Sequence, residues 1–139
     1  MATSSPEAIE SIQGKQANQM NLRMIIDGAV IATATLDNTR SAEDFATLLP
    51  LTLHLKDYEA TEKIAGLPRQ VTTEGAPDSY TPSAGDICFY APWGNLAFFY
   101  KDGAPSEGLV RLGSFASGLD QLAQDGTSNV EVKVELSCP

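Results

Sequence analysis

The chemistry this sequence can offer gathers in the apolar runs 85–90 and 96–100 and in the run 109–112 that follows them. Strand alternation puts Ile87, Phe89, Leu96, Phe98, Val110 and Leu112 on one face, toward a core. Tyr90, Phe99, Leu109 and Arg111 then share the opposite face. Three of these four are large and apolar or aromatic, and an exposed patch of that kind marks a binding surface. Arg111 beside Tyr90 and Phe99 would supply paired N–H donors to a carboxylate or a carbonyl. Two plainer arrangements compete. The segment 57–84 could cover the patch, and Arg111 could pair with a loop acid such as Glu62 or Glu74.

The remaining reactive side chains carry less. His54 alternates to the wet face of its strand, with no Ser or Cys partner in view, and reads as a surface histidine. Asp37-Asn38 reads as turn chemistry, since both side chains bond readily to nearby backbone. Cys88 lies inside an apolar strand, where a buried free thiol is the default. Cys138 is one residue from the C-terminus; a bridge to Cys88 stays open, but two cysteines make no disulfide framework. One histidine and no paired Cys/His spacing argue against structural zinc. No metal site and no cofactor are expected.

Composition narrows the partners. The net charge of −9 and pI near 4.4 argue against nucleic acid or an anionic membrane, because neutralising phosphates takes clustered Lys and Arg. At 139 residues, 42% hydrophobic and 19% charged, the chain has enough apolar content for one globular core. No apolar run reaches membrane-spanning length. Residues 1–19 lack a basic stretch followed by an apolar one, so a cytoplasmic location is expected.

These side chains must be positioned by short elements. Residues 1–20 read as a flexible N-terminal tail and 21–139 as one barrel domain. The run 22–36 alternates around Asp27-Gly28, which suits the positive φ angles of a type I′ hairpin turn. Residues 41–49 predict a short helix, with Ser41 as N-cap, Asp44 reaching back to it, Ala42, Phe45, Leu48 and Leu49 on one face, and Pro50 as the stop. Leu51, Leu53 and Leu55 alternate with polar residues as a half-buried strand. Residues 57–84, with three prolines and two glycines, predict loop with short strands. Three strands follow, at 85–90, 96–100 and 109–112, the last ended by Gly113. A second short helix around Leu119 and Leu122, closed by Asp125-Gly126, and an alternating strand at 130–136 complete the chain. Seven or eight short strands with two short helices fit a mainly β fold, a closed antiparallel barrel. Too few helices separate the strands for right-handed α/β crossovers.

In this order the pieces resemble the cyclophilins. The resemblance rests on the Asp27-Gly28 hairpin, on Ser41-Ala42-Glu43-Asp44-Phe45 followed by Leu48, on the strands from Gly85-Asp86-Ile87 through Phe98-Phe99, and on Leu109-Val110-Arg111-Leu112-Gly113. It spans about residues 22–137. Asp37-Asn38, Leu49-Pro50-Leu51-Thr52-Leu53 and Arg111-Leu112-Gly113 are similar to the small prokaryotic cyclophilin-like proteins, whose activity is largely unassigned.

The resemblance implies a cyclophilin-like barrel and raises prolyl isomerisation, whose barrier of about 20 kcal/mol is lowered by stabilising a twisted amide. In cyclophilins an Arg bonds near the proline, an aromatic pocket holds the ring, and Gln, Trp and His line the rim. By this resemblance Phe99 forms the pocket floor, Lys63 falls nearest the catalytic Arg, and Leu109 stands where the rim His would. Lysine lacks the planar guanidinium fork, so the exchange is not conservative. Trp93 lies in a different loop from the family's rim Trp, and the catalytic Gln has no counterpart. The expected groove is therefore Lys63, Tyr90, Trp93, Phe99, Leu109 and Arg111, holding a peptide or small molecule with weak or no isomerase activity. The alternatives are a prolyl isomerase with a substituted site, and an accessory domain acting through a protein partner.

Overall fold

Two residues with positive φ open the architecture. Asp27 at 51° and Gly28 at 82° turn β1 (Met20–Ile26) back as β2 (Ala29–Leu36), as a type I′ hairpin requires. The computed structural model of the chain describes residues 20–122 and 130–137. After this hairpin come α1 (Arg40–Ala46), β3 (Leu51–Tyr58), β4 (Glu62–Gly66), β5 (Ser79–Tyr80), β6 (Asp86–Tyr90) and β7 (Asn95–Phe99). β8 (Ser106–Glu107), β9 (Leu109–Ser117), α2 (Leu119–Leu122) and β10 (Val130–Leu136) complete the described elements. The N-terminal tail and the Asp125-Gly126 stop lie outside the described residues.

Eight strands close into an antiparallel barrel in the order β1-β10-β3-β4-β7-β6-β9-β2, with β2 returning to β1. β5 and β8 pair separately as a two-stranded ribbon. The expected mainly β barrel with two short helices is the observed fold. Alternation decides what it encloses. Leu22, Met24, Leu53, Leu55, Ile87, Phe89, Leu96, Phe98, Leu112, Val132 and Val134 all turn inward and are buried in one core. Among the described residues no helix is long and apolar enough to cross a membrane.

Three local expectations are corrected. The N-cap of α1 is Thr39, not Ser41: Thr39 has extended backbone and its Oγ1 accepts from Ala42 N at 3.1 Å. Ser41 is buried and donates to Thr72 O at 2.6 Å, while Asp44 accepts from Arg69 and from Thr72 N instead of reaching back. Both side chains thus fasten the segment after β4 onto the helix. The helix itself ends at Ala46, where Leu48 N and Leu49 N bond carbonyls three residues back and tighten the last turn. Finally, Gly113 does not end its strand; β9 runs through it to Ser117. A Cβ there would sit 2.2 Å from Thr35 O, so glycine allows β9 to approach its paired neighbour β2 closely.

Candidate functional site

The outer face of the β4-β7-β6-β9 sheet is built in cross-strand rows. Register sets Tyr58 opposite Glu62 and Glu62 opposite Phe99. The next rows align Ile64, Ala97 and Cys88, with Arg111 beyond, and then Asn95, Tyr90 and Leu109. Opposed residues in an antiparallel pair point to the same side. These side chains therefore share one surface outside the barrel core.

Ile64, Cys88, Ala97, Phe99 and Leu109 form a second buried cluster on that surface, with Tyr58, Tyr80 and Tyr90 packed against it. Both competing expectations thus meet here. The segment 57–84 does cover Phe99 and Leu109, each only 3% exposed, with Tyr80 of β5 laid against them. The chain also closes from the other side, since a Cβ on Gly103 would stand 2.8 Å from Pro82 Cγ and 3.2 Å from Phe99 Cε2. The cover is incomplete. A cleft of about 380 Å³ remains, with Phe99 and Leu109 in its floor and Tyr58, Tyr90 and Trp93 along its wall. That volume falls within the range of about 300–1,000 Å³ typical of small-molecule sites.

Trp93 stands on the β6–β7 turn, 56% exposed. Its ring meets Tyr58 at 5.5 Å and Tyr90 at 5.4 Å between centroids, both edge-to-face. Such geometry holds the indole in place while leaving surface open to a ligand.

The cleft's charged side chains are all acidic: Glu59, Glu62 and Asp102. Burial against the aromatic wall, with the Glu59 carboxylate as a smaller cause, pushes Glu62 up to about 7. Glu59 in turn raises the Tyr58 hydroxyl. A raised carboxyl lends the fold stability that is full below its ordinary value of 4.5 and disappears as pH rises through about 7. Glu62→Gln should therefore gain on the wild type in urea-unfolding midpoint as pH is taken from about 6 to about 8. Equal gains at both pH values would show that Glu62 ionises normally.

Of the six residues expected in the groove, the structure brings Tyr90, Trp93, Phe99 and Leu109 into the cleft. Lys63 is not there. It pairs with Phe98 across β4–β7 and with Asp57 across β3–β4, and so points into the barrel. It is 1% exposed, with Nζ 3.4 Å from Asp57 Oδ1 and 5.7 Å from the centre of the Tyr100 ring. Arg111 also lies apart, in an adjoining hollow of about 440 Å³ that it shares with Asp37, Arg40 and Tyr80. It is an ion-pair residue, but with partners other than Glu62 or Glu74. Its Nε is 3.0 Å from Asp37 Oδ2, without hydrogen-bond geometry, and its Nη1 is 3.7 Å from Asp86 Oδ1. Glu74 pairs with Arg40 instead. Asp37 is thus more than a turn residue. Tyr80 Oη donates to Asp86 Oδ2 at 2.6 Å and ties the β5–β8 ribbon to the same group.

The other candidates keep plain roles. His54 is exposed. Cys88 is a free buried thiol that desolvation pushes well above the usual range, which leaves it unreactive as a nucleophile. Cys138 lies outside the described residues. Among the described residues no three His, Cys, Asp or Glu side chains converge as metal ligands would. Tyr58 and the acidic trio are what sequence reasoning missed as site residues. The signal was present in Glu62, Ile64 and Gly66, which alternate outward once β4 is taken as a barrel strand.

Comparison with known proteins agrees with this architecture. The solution structure of the hypothetical protein AF2241 from Archaeoglobus fulgidus is similar, with a TM-score of 0.56 and 18% sequence identity over 84% of this chain and 94% of that one. At that identity the likeness is one of fold. No curated protein matches the chain. The model of the Cyclophilin-like family matches residues 24–135, which takes in all eight barrel strands at least in part. The chain belongs to the Cyclophilin-like family.

Proposed function

We propose that this protein is a ligand-binding barrel whose site is the outer cleft between β4, β7, β6 and the β5–β8 ribbon. Its ligand is a small molecule or a short peptide segment, and prolyl isomerisation there is weak or absent. The observation that carries this reading is the Tyr58–Trp93–Tyr90 wall standing over the Phe99 and Leu109 floor. It combines a preformed apolar floor with one large, half-open aromatic, the combination that makes binding hot spots.

By the resemblance, the isomerase alternative asks for a guanidinium beside the twisted amide, with Gln and His on the rim. Among the described residues lining the cleft there is no Arg, Gln or His. Lys63, which the resemblance placed nearest the catalytic Arg, serves the barrel interior. This favours binding over catalysis.

Trp93 is the only tryptophan in the chain, so its fluorescence reports on the cleft directly. Titration with a Xaa-Pro peptide and with small aromatic and aliphatic compounds should shift that emission. Chemical shifts of Tyr58, Tyr90 and Leu109 should move in the same titration. Trp93→Ala should weaken the bound compound about tenfold, roughly 1.4 kcal/mol, and should cost the fold no more than its two ring contacts, about 1–3 kcal/mol. Marked acceleration of Xaa-Pro exchange by NMR, lost in Trp93→Ala, would replace this reading with the isomerase one. Shifts confined to another surface would remove the cleft from consideration.

A further inference from the structure

We propose that the ligand of this cleft is a small organic cation, an alkylated ammonium held over the Tyr58, Tyr90 and Trp93 rings with Glu62 as its counter-charge. The inference rests on the reading of the cleft as a binding site and adds the chemical class of the occupant. Two independent features point the same way. The first is the aromatic wall, since ring faces attract a desolvated cation and neither an anion nor a neutral group gains as much from them. The second is charge. Glu59, Glu62 and Asp102 line the cleft, and none of its described lining residues is Lys, Arg or His.

Arrangement matters more than the acid count. Glu62 stands in the row between Tyr58 and Phe99, half-buried beside the aromatic wall. An anion would meet three acidic side chains with no basic one to offset them. A neutral ligand would leave Glu62 facing an apolar surface, the condition that already holds its pKa near 7. A cation resolves both. It would pull Glu62 back toward its ordinary range and release a proton on binding near neutral pH. The other titratable groups sharing the cleft are Glu59 and Asp102 from its loops and the Tyr58 and Tyr90 hydroxyls from β3 and β6. The volume of about 380 Å³ leaves room for a molecule of choline's size.

The test compares choline with 3,3-dimethyl-1-butanol, the same shape with carbon in place of the charged nitrogen, and with acetate. Binding is followed by Trp93 emission and by NMR shifts on the whole chain. Choline should bind at least tenfold more tightly than the alcohol, and acetate should not compete. Choline affinity should rise as pH goes from about 6 to about 8, with proton release seen calorimetrically in buffers of different ionisation enthalpy. Glu62→Gln, which keeps size and hydrogen-bonding capacity, should cost choline about tenfold, leave the alcohol unchanged and abolish the pH dependence. Equal binding of the alcohol, or choline binding indifferent to Glu62→Gln, would overturn the cation inference. If the alcohol or a Xaa-Pro peptide shifts Trp93 and choline does not, the cleft stands as a site and only the cation is wrong. If no probe shifts it, both readings fall.

Discussion

Asp57→Ala is expected to lower the stability of the fold by about 3 kcal/mol, read as an earlier urea midpoint by far-UV circular dichroism. The reason lies inside the barrel. Leu53 and Leu55 set the inward phase of β3, and Asp57 continues it to face Lys63. The Lys63 side chain is 2% exposed, and the Asp57 carboxylate at 3.4 Å is an opposite charge set against it in the interior. Asp57 also accepts the Tyr100 hydroxyl and Ala60 N. Removing it takes the acceptor from Tyr100 and Ala60 N and the counter-charge from Lys63. Lys63→Met should cost much less, because Asp57 keeps those other donors and the methionine fills the space. The Tyr100 hydroxyl first, with Ala60 N and Lys63, holds the Asp57 carboxyl below its ordinary 3.8. Its contribution is therefore present above that value and lost as pH falls below it through the folded value. Wild type should lose stability more steeply than Asp57→Ala on the acid side. Equal acid slopes, or a loss under about 1 kcal/mol, would place the ion pair among those that surface water screens.

Phe45→Ala should be at least as damaging, at about 3–5 kcal/mol, with Phe45→Leu about 1 kcal/mol. Phe45 is fully buried in the same core as the strand residues, flanked on α1 by Ala42 and Ala46. A helix of seven residues has little stability of its own, so this burial holds it in place. Losing the ring should also release Ser41 and Asp44, which anchor the segment around Thr72 and Arg69. Amide exchange should then quicken at Thr72 N beyond what the global loss accounts for. Exchange rising uniformly across the barrel would mean that the helix and this segment are not coupled.

Much of this was legible in the residues. The hairpin at Asp27-Gly28, the inward phase of β6, β7 and β10, and the position of α1 follow from local alternation and turn chemistry. What was not legible depended on partners distant in sequence. Thr39 and Ser41 are both good caps, and only the docking of Thr72 decides which one is free to cap. Gly113 looks like a stop until β2 is known to pair closely alongside it. β4 was the costliest case. Lys63, Ile64 and Ala65 are all buried, because the strand has the barrel core on one side and the second cluster on the other. Its own pattern cannot fix which way Lys63 turns. Register with Asp57 and Phe98 does, and this register removed Lys63 from the groove and put Glu62 into it.

Closure of the barrel has a bearing on how anything can be recognised. With β2 hydrogen-bonded back to β1, every barrel strand has a paired neighbour on each side, so none runs its whole length as a free edge for an incoming extended chain to extend. Among the described residues the strands with a neighbour on one side alone are β5 and β8, two residues each, too few to hold a partner by backbone pairing. On the proposed binding reading, the cleft would select through side chains, its rings and carboxylates with Thr61, Asn95 and Ser106, so discrimination there would be open to change one side chain at a time without disturbing the fold beneath.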